Sequence, residues 1–361
     1  MPCAATLMNN TDSRARPVAG ACDLSRPSMT VLVTGAAGYI GSVVAERLLE
    51  HGHAVAALDD LSQGHRAAVP AGAGFFEGDL RNRTRLAEVM AAVRPGAVVH
   101  LAAEALVGES ATEPAKFFEV NVTGGLNLLD AMRAAGVRRL VFSSTAAVYG
   151  EPEEIPIRED APLHPVNAYG ASKLAFEQAL PWYASAYGLR HVSLRYFNAC
   201  GATAERGEHH VPETHLIAIL LEVALGLRPE IRIFGSDYDT PDGTCIRDYV
   251  HAGDIADAHL LALDRIDGIE SGAFNLGNGA GFSNREVVEA ARRVTGHPIP
   301  AVAAPRRAGD PARLVASADR AREVLGWSPT HPTLDEMIAT AWAWRKDRPQ
   351  PYAGWSPGSS R

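Results

Sequence analysis

The run Thr30-Val31-Leu32-Val33-Thr34 leads directly into Gly35-Ala36-Ala37-Gly38-Tyr39-Ile40-Gly41, and an amphipathic stretch follows as far as Gly52. This order constrains the fold more than any other feature. A buried strand passing through a glycine turn into a helix belongs to a β-α-β unit, and such units build parallel sheets. Glycine at 35 lets the chain turn sharply. Glycine at 38 lets backbone N–H groups approach a phosphate, and glycine at 41 lets helix and strand pack closely. A tight strand–helix turn without a ligand is the competing reading of the glycines alone.

The alternation continues. Apolar runs predict strands at Ala54–Leu58, around Phe75-Phe76, and at Ala97–Ala102, Leu140–Ser144 and His191–Tyr196. Helical spacing covers Arg81–Val93, a long Glu113–Ala135 stopped by Gly136, and Tyr169–Tyr187. Continuous apolar strands separated by helices imply a sheet buried on both faces. The expected fold is α/β, a Rossmann-type doubly wound parallel sheet with a smaller C-terminal α/β domain. After Asn198 glycine and proline become frequent and the elements shorten. Helices are expected at Pro212–Leu227, Ala252–Arg265, from Asn284, at Asp319–Leu325 and at Leu334–Trp344, with strands at Ile231–Phe234 and Phe274–Leu276. The domain expectation is a disordered extension over 1–29, with Met29 a plausible start. A first domain follows over 30–198 with returning segments near 250–277. An interleaved second domain covers 199–345, and a loose tail 346–361.

A net charge of −8 argues against nucleic acid as a partner. No apolar run reaches the length of a membrane span. The four cysteines, Cys3, Cys22, Cys200 and Cys245, have neither CxxC nor metal-ligand spacing. They suit a reducing cytoplasm, and no metal site is expected.

Asp59 ends the second strand, where a carboxylate can accept both ribose hydroxyls of an adenosine and repel a 2′-phosphate, favouring NAD over NADP. Asp60 adjoins it and reads equally as solvated. Asp79 falls near an adenine amino group, or caps the helix Arg81–Val93. Tyr169 and Lys173 are four apart and share a helix face. A phenol titrates near pH ~10, and an adjacent ammonium favours the phenolate, making Tyr169 a candidate base. A surface Tyr–Lys pair is the competing reading. Ser143-Ser144-Thr145 ends the preceding strand, with Thr145 able to hydrogen-bond a reacting oxygen. Asn121 can hold backbone from its helix, or be a plain helical Asn.

The segments VLVTGAAGYIGS, LDDL, FFEGDLRN, VVHLAA, NVTGGLNLL, FSSTAAVYG, NAYGASK, LRYFNACGA, TPDGTCIRDYVH, FNLGNG and APRRAGDPARLVA run from Val31 to about Ala316. Together they resemble the extended short-chain dehydrogenase/reductase superfamily and, within it, the UDP-glucose (UDP-galactose) 4-epimerase family. The resemblance implies reversible epimerisation at C4 through a 4-keto sugar with tightly bound NAD, on a UDP-sugar, in a homodimer. Tyr169 would be the base, Lys173 would orient the nicotinamide ribose, and Thr145 would assist. Cofactor contacts carry over to Gly35, Gly38, Tyr39, Ile40, Gly41, Asp59, Asp60, Asp79, Leu80, Leu101, Ala102, Ala103, Asn121, Ser143 and Tyr196. Nucleotide-sugar contacts carry over to Phe197, Asn198, His215, Leu216, Phe234, Arg247, Tyr249, Arg307, Asp310 and Leu314. Arg247 and Arg307 would grip a diphosphate, and Asp310 would accept from the uridine ribose. Phe234 also reads as simple core. The dimer would pair the helices bearing Phe117, Phe118, Leu126 and Leu129 with those bearing Leu174, Leu180 and Trp182.

Three positions depart from the family pattern. Glu104-Ala105 replaces a lysine found in some members, His215 replaces a common Asn, and Leu314 replaces a bulky Tyr beside the sugar. The Leu suggests room for an N-acetyl group at C2. Ala146-Ala147 after Thr145 lack the acid/base pair of a 4,6-dehydratase. An epimerase of a UDP-uronate or UDP-pentose, and a non-catalytic NAD-binding regulatory protein, are the other readings.

Overall fold

The computed structural model describes residues 28–307, 310–348 and 351–352. The strands are β1 (Thr30–Thr34), β2 (Ala54–Asp59), β3 (Gly74–Glu77), β4 (Ala97–His100), β5 (Arg139–Thr145), β6 (Arg190–Tyr196), β7 (Asn198–Cys200), β8 (Ile231–Phe234), β9 (Ile246–Arg247), β10 (Tyr249–His251), β11 (Gly272–Leu276), β12 (Phe282–Ser283), β13 (Ala301–Ala304) and β14 (Arg313–Leu314). The α-helices are α1 (Tyr39–Glu50), α2 (Arg83–Val93), α3 (Val107–Ser110), α4 (Pro114–Phe117), α5 (Gly125–Ala134), α6 (Ala168–Tyr187), α7 (Leu216–Ala224), α8 (Ala252–Arg265), α9 (Asn284–Thr295) and α10 (Leu334–Arg345).

Alternate residues of a strand face opposite sides of its sheet, and each side here has its own core. Val31 and Val33 of β1 pack with Val43 and Leu48 of α1 and Ile255 and Leu263 of α8. Leu32, between them, packs with Leu128 and Leu129 of α5 and Phe176 and Leu180 of α6. Seven parallel strands run in the order β11-β6-β5-β4-β1-β2-β3. The order reverses at β1, where a crevice opens beyond the carboxyl ends of the strands. Register brings Thr145 beside Tyr196, and Thr34 beside Leu58 and His100, on that one edge.

The later chain builds a second cluster. Leu220 and Leu221 of α7, Val287 of α9, and Met337 and Ile338 of α10 share an apolar centre. Beside it lie the parallel pair β8–β13 and the three-stranded β12-β9-β14. In between, α8 and β11 return to the main sheet.

Several expectations need correction. The long helix expected over Glu113–Ala135 runs without interruption from Pro114 to Ala134, but between α4 and α5 it is π-helical over Phe118–Gly124. Gly125 lets the chain lie against Phe176, where an added Cβ would sit 2.6 Å from the ring. The helix expected from Arg81 starts at Arg83, and its N-cap is Asn82, which accepts from Arg85 N–H at 3.0 Å, so Asp79 does not cap it. The helix expected from Pro212 starts at Leu216, because the Glu213 carboxylate takes the Thr214 and His215 N–H groups outside it. Met29 belongs to the ordered chain: it packs on the core and its carbonyl accepts Ala54 N–H at 3.1 Å. Residues 1–27, with Cys3 and Cys22, lie outside the described residues. Of the tail expected over 346–361, residues 349–350 and 353–361 lie outside the described residues; of the rest, Arg348 donates to Ala204 O at 3.3 Å and the Tyr352 ring stacks on His65. Phe117, Leu129, Leu174 and Leu180 are buried within their own chain, which leaves Phe118 (41% exposed) and Trp182 (77%) outward. Among the described residues no helix is long and apolar enough to cross a membrane.

Candidate active site

The glycine turn is built by contact between backbones. Gly35 has φ +71°, and a Cβ there would lie 2.5 Å from Ala102 N. A Cβ on Gly41 would lie 2.0 Å from Gly35 O. Strand and helix therefore touch with no side chain between them. Gly38, the N-cap of α1, brings no side chain to its first turn. That end of the helix opens on a cleft of about 220 Å³ at the carboxyl edge of the sheet. Its walls include Gly35, Gly38, Tyr39, Ile40, Gly41, Asp59, Asp60, Asp79, Leu80, Leu101, Ala102, Ala103, Tyr169, Tyr196 and His215.

Asp59 is set by the turn it faces. Its Oδ2 accepts Ala37 N–H and its Oδ1 accepts Leu61 N–H, both at 2.9 Å. Burial raises this carboxyl to about 6, and the two N–H groups pull it back. Asp60 accepts Ser62 N–H and hydroxyl, which shapes its own loop. Asp79 is gripped by the Arg81 guanidinium, which holds it below its ordinary value against the opposing effect of burial.

Tyr169 and Lys173 lie in the first turns of α6, fixed by Asn167, whose side chain accepts Gly170 N–H at 2.8 Å. Lys173 is buried; its ammonium donates to Ser143 O at 3.0 Å and lies 4.9 Å from the centre of the Phe142 ring. Burial lowers it to about 7. The Lys173 ammonium, expected to favour the Tyr169 phenolate, is not what governs that phenol. Burial dominates and raises that phenol, and the force acting the other way is its hydrogen bond with Thr145. Thr145 also accepts Ala147 N–H at 3.1 Å, which turns the chain at the end of β5.

Two cofactor candidates act from behind the wall. Asn121 is buried; its Oδ1 accepts Glu104 N–H at 2.8 Å and its Nδ2 donates to Glu104 O at 3.1 Å and Ser172 Oγ at 2.9 Å. The π-helical turn places it there, as such turns do at functional sites. The Ser143 hydroxyl is within 2.8 Å of His259 Nε2, so its carbonyl is the group that meets Lys173. At the departure Glu104, the carboxylate accepts from Gln63 at 2.7 Å and pairs with Lys116 at 3.1 Å.

The nucleotide-sugar candidates gather around β7, β9 and β14. Arg247 is buried and ion-paired with Asp310, which joins two of the expected nucleotide-sugar residues. The Arg307 guanidinium lies 3.9 Å over the Phe234 ring, and Phe234 is half-buried at the end of β8 rather than simple core. Leu314 pairs with Arg247 and packs on the cluster holding Ala146, Tyr149 and Phe197. Tyr249 and Leu216 sit in the C-terminal core, and Asn198 N–H donates to Asp248 O at 3.0 Å.

Sequence reasoning missed two groups. The first is buried beneath α6: Arg195 makes a bidentate pair with Glu177 (2.6 Å at its shortest), and donates to the Tyr149 hydroxyl at 2.9 Å. Tyr149 in turn donates to Asn275 at 2.7 Å. Arg and Glu buried inside an apolar run give no periodic signal. The second is the polar wall Gln63, His65, Glu208, His209, His210 and Tyr352. Its available signal was the density of His and Glu between 208 and 215.

Residues 31–277 match the model of the NAD dependent epimerase/dehydratase family. A UDP-glucose 4-epimerase of Streptomyces lividans is 54% identical over 322 residues, 89% of this chain and 97% of that protein. A crystal structure of a UDP-glucose 4-epimerase superposes with a TM-score of 0.87 at 49% identity, covering 89% of this chain and 98% of the other. A UDP-glucose 4-epimerase from Bifidobacterium longum, solved with NAD+ and UDP, gives 0.85 at 37% identity, covering 89% and 99%.

Proposed function

The chain belongs to the NAD dependent epimerase/dehydratase family, and from that premise we propose that it interconverts UDP-glucose and UDP-galactose at C4 through a 4-keto sugar. The observation that carries this reading is Tyr169 in the wall of the same cleft as the Gly35–Gly41 turn and Asp59. The residues present fit NAD. The uncapped first turn of α1 suits a pyrophosphate, and Asp59 suits an adenosine ribose. Bound NAD supplies the hydride acceptor and donor at C4.

Tyr169 takes the proton from O4 as the ketone forms and returns it when the alcohol is restored. Thr145 orients O4 through the hydroxyl it already shares with the phenol. Lys173, its Nζ held 4.9 Å from the centre of the Phe142 ring, is positioned for the nicotinamide ribose. Arg247 and Arg307 hold the diphosphate, and Asp310 leaves Arg247 for the uridine ribose as they do so. Inversion requires the diphosphate to be held while the sugar turns. Residues 30–198 with α8 and β11 form the cofactor domain in this scheme, and the remainder to 345 the substrate domain. Two chains pair through the outward Phe118 and Trp182.

The test is Tyr169→Phe, assayed for UDP-galactose turnover and for UDP binding by calorimetry. Turnover falls by roughly 10²–10⁴ or more while UDP binding stays within a few-fold. A phenylalanine variant with normal turnover refutes the scheme.

A further inference from the structure

The segment Glu208–His215 forms part of the cleft wall, and the reaction assigns it no proton to move. Four of its side chains converge. His215 Nδ1 lies 2.8 Å from Glu208 Oε1 and 3.1 Å from Glu213 Oε1. His210 Nδ1 lies 3.6 Å from Glu208 Oε1 and 3.5 Å from Glu213 Oε2. One donor atom from each residue falls within 4.8 Å of all the others. Around a tetrahedral ion with bonds of about 2.0–2.2 Å, neighbouring donors are separated by roughly 3.3–3.6 Å. With Glu213 Oε1 as that residue's donor, the three separations of 2.8, 3.1 and 3.6 Å bracket that spacing, and the second oxygen, Oε2, faces His210.

Hydrogen bonding among the side chains leaves this arrangement unexplained at His210. Its Nδ1 is buried and makes no hydrogen bond. It stands between two carboxylates, beyond the ordinary length for an N–H···O contact. A buried ring nitrogen held only by such long contacts is costly unless something else meets it. Glu213, by contrast, is oriented in advance. Its Oε1 accepts Thr214 N–H at 2.8 Å and His215 N–H at 2.9 Å, and its Oε2 accepts His210 N–H at 3.3 Å. Backbone support of this kind fixes a metal-ligating carboxylate.

We propose that Glu208, His210, Glu213 and His215 bind one zinc ion, which fastens residues 208–215 to the wall of the cleft. Two imidazole nitrogens and two carboxylate oxygens form a donor set suited to zinc, whereas calcium and magnesium demand six or more oxygens. Four protein ligands leave no open position, so the ion is structural. Its charge offsets two carboxylates, of which Glu208 lines a cleft suited to anionic phosphates and Glu213 is buried behind it. It also fixes His215, the residue from which α7 begins.

The experiment uses the full chain purified without a histidine tag from zinc-supplemented medium. Metal content is read by plasma mass spectrometry. The protein is then stripped with a chelator and titrated with cobalt(II), whose visible absorption reports tetrahedral coordination. One zinc per chain and intense cobalt bands are expected, with both lost at least tenfold in His210→Ala. Less than about a tenth of an equivalent of zinc in the wild type, with the weak spectrum of the hydrated cobalt ion, overturns the site. So does a folded His210→Ala that retains full zinc. If that variant fails to fold, the wild-type cobalt spectrum decides alone.

Discussion

Replacing Gly41 with alanine puts a methyl group 2.0 Å from Gly35 O and 2.8 Å from Gly35 C. Real Cβ atoms do not approach within 3.0 Å. The start of α1 must therefore retreat from β1 by about 1 Å, the difference between those two distances, because the obstruction is backbone and cannot rotate aside. Overpacking of this size costs about 1–3 kcal/mol of stability. The effect on the cofactor is larger. Phosphate-binding N–H groups displaced by about 1 Å leave hydrogen-bonding range, and two such bonds to a charged group are together worth about 3 kcal/mol or more. That corresponds to at least a hundredfold in NAD affinity. The assay denatures the purified variant, quantifies released NAD, and follows thermal unfolding of a parallel sample. Gly268→Ala is the control, since its added Cβ meets only Arg265 O at 3.7 Å. The control keeps its NAD. A Gly41→Ala protein with a full complement of NAD and wild-type unfolding would refute the close strand–helix contact as the basis of cofactor binding.

Asp59 has its carboxyl raised to about 6 in the folded chain, so NAD affinity of the stripped protein falls as pH drops through that value and is level above it. The sign follows because the ribose hydroxyls bond the ionised form, and acidification removes it. Titrations with NAD across this range check it, and Asp59→Asn abolishes the dependence. Leu314 offers less bulk than a tyrosine beside Phe197, so the expected outcome is turnover of UDP-N-acetylglucosamine as well as UDP-glucose. Comparing kcat/KM for the two sugars tests this, and Leu314→Tyr lowers the ratio by roughly 10-fold or more. Light scattering at micromolar concentration reads the mass of two chains, and Trp182→Glu, on the outward face of α6, shifts it to one.

The main sheet was readable because its strands are continuous apolar runs and its helices have clear stops. Tyr39–Glu50 and Ala252–Arg265 stand where spacing predicts them. What escaped was set by tertiary contacts. Nothing local at Phe118–Gly124 announces a π-helical turn. It exists because Asn121 reaches Glu104 and Gly125 meets Phe176. The start of α7 was misplaced because Glu213 outbids the helix for two N–H groups. Candidate residues such as Tyr169 and Asp59 stood out because their spacing to neighbours carries chemistry within a few positions. The Arg247–Asp310 pair spans 63 positions, and no local pattern could join it.

The Glu177–Arg195 pair under α6 limits how the sequence can drift. Glu177 lies one turn beyond Lys173 on that helix, and its carboxylate also accepts the Ser144 hydroxyl of β5. Arg195 belongs to β6, and through Tyr149 the network reaches Asn275 on β11. Apolar contacts would let a helix slide over a sheet and be repacked, but these directional bonds hold it at one angle and height. Loss of either charge strands the other in the interior at a cost of about 3–5 kcal/mol. Single substitutions at 177 or 195 therefore lead to chains that barely fold, while a paired replacement by apolar residues of matching volume keeps stability and frees the helix to shift. Selection acting on stability alone would permit that exchange; selection acting on where Tyr169 points would not.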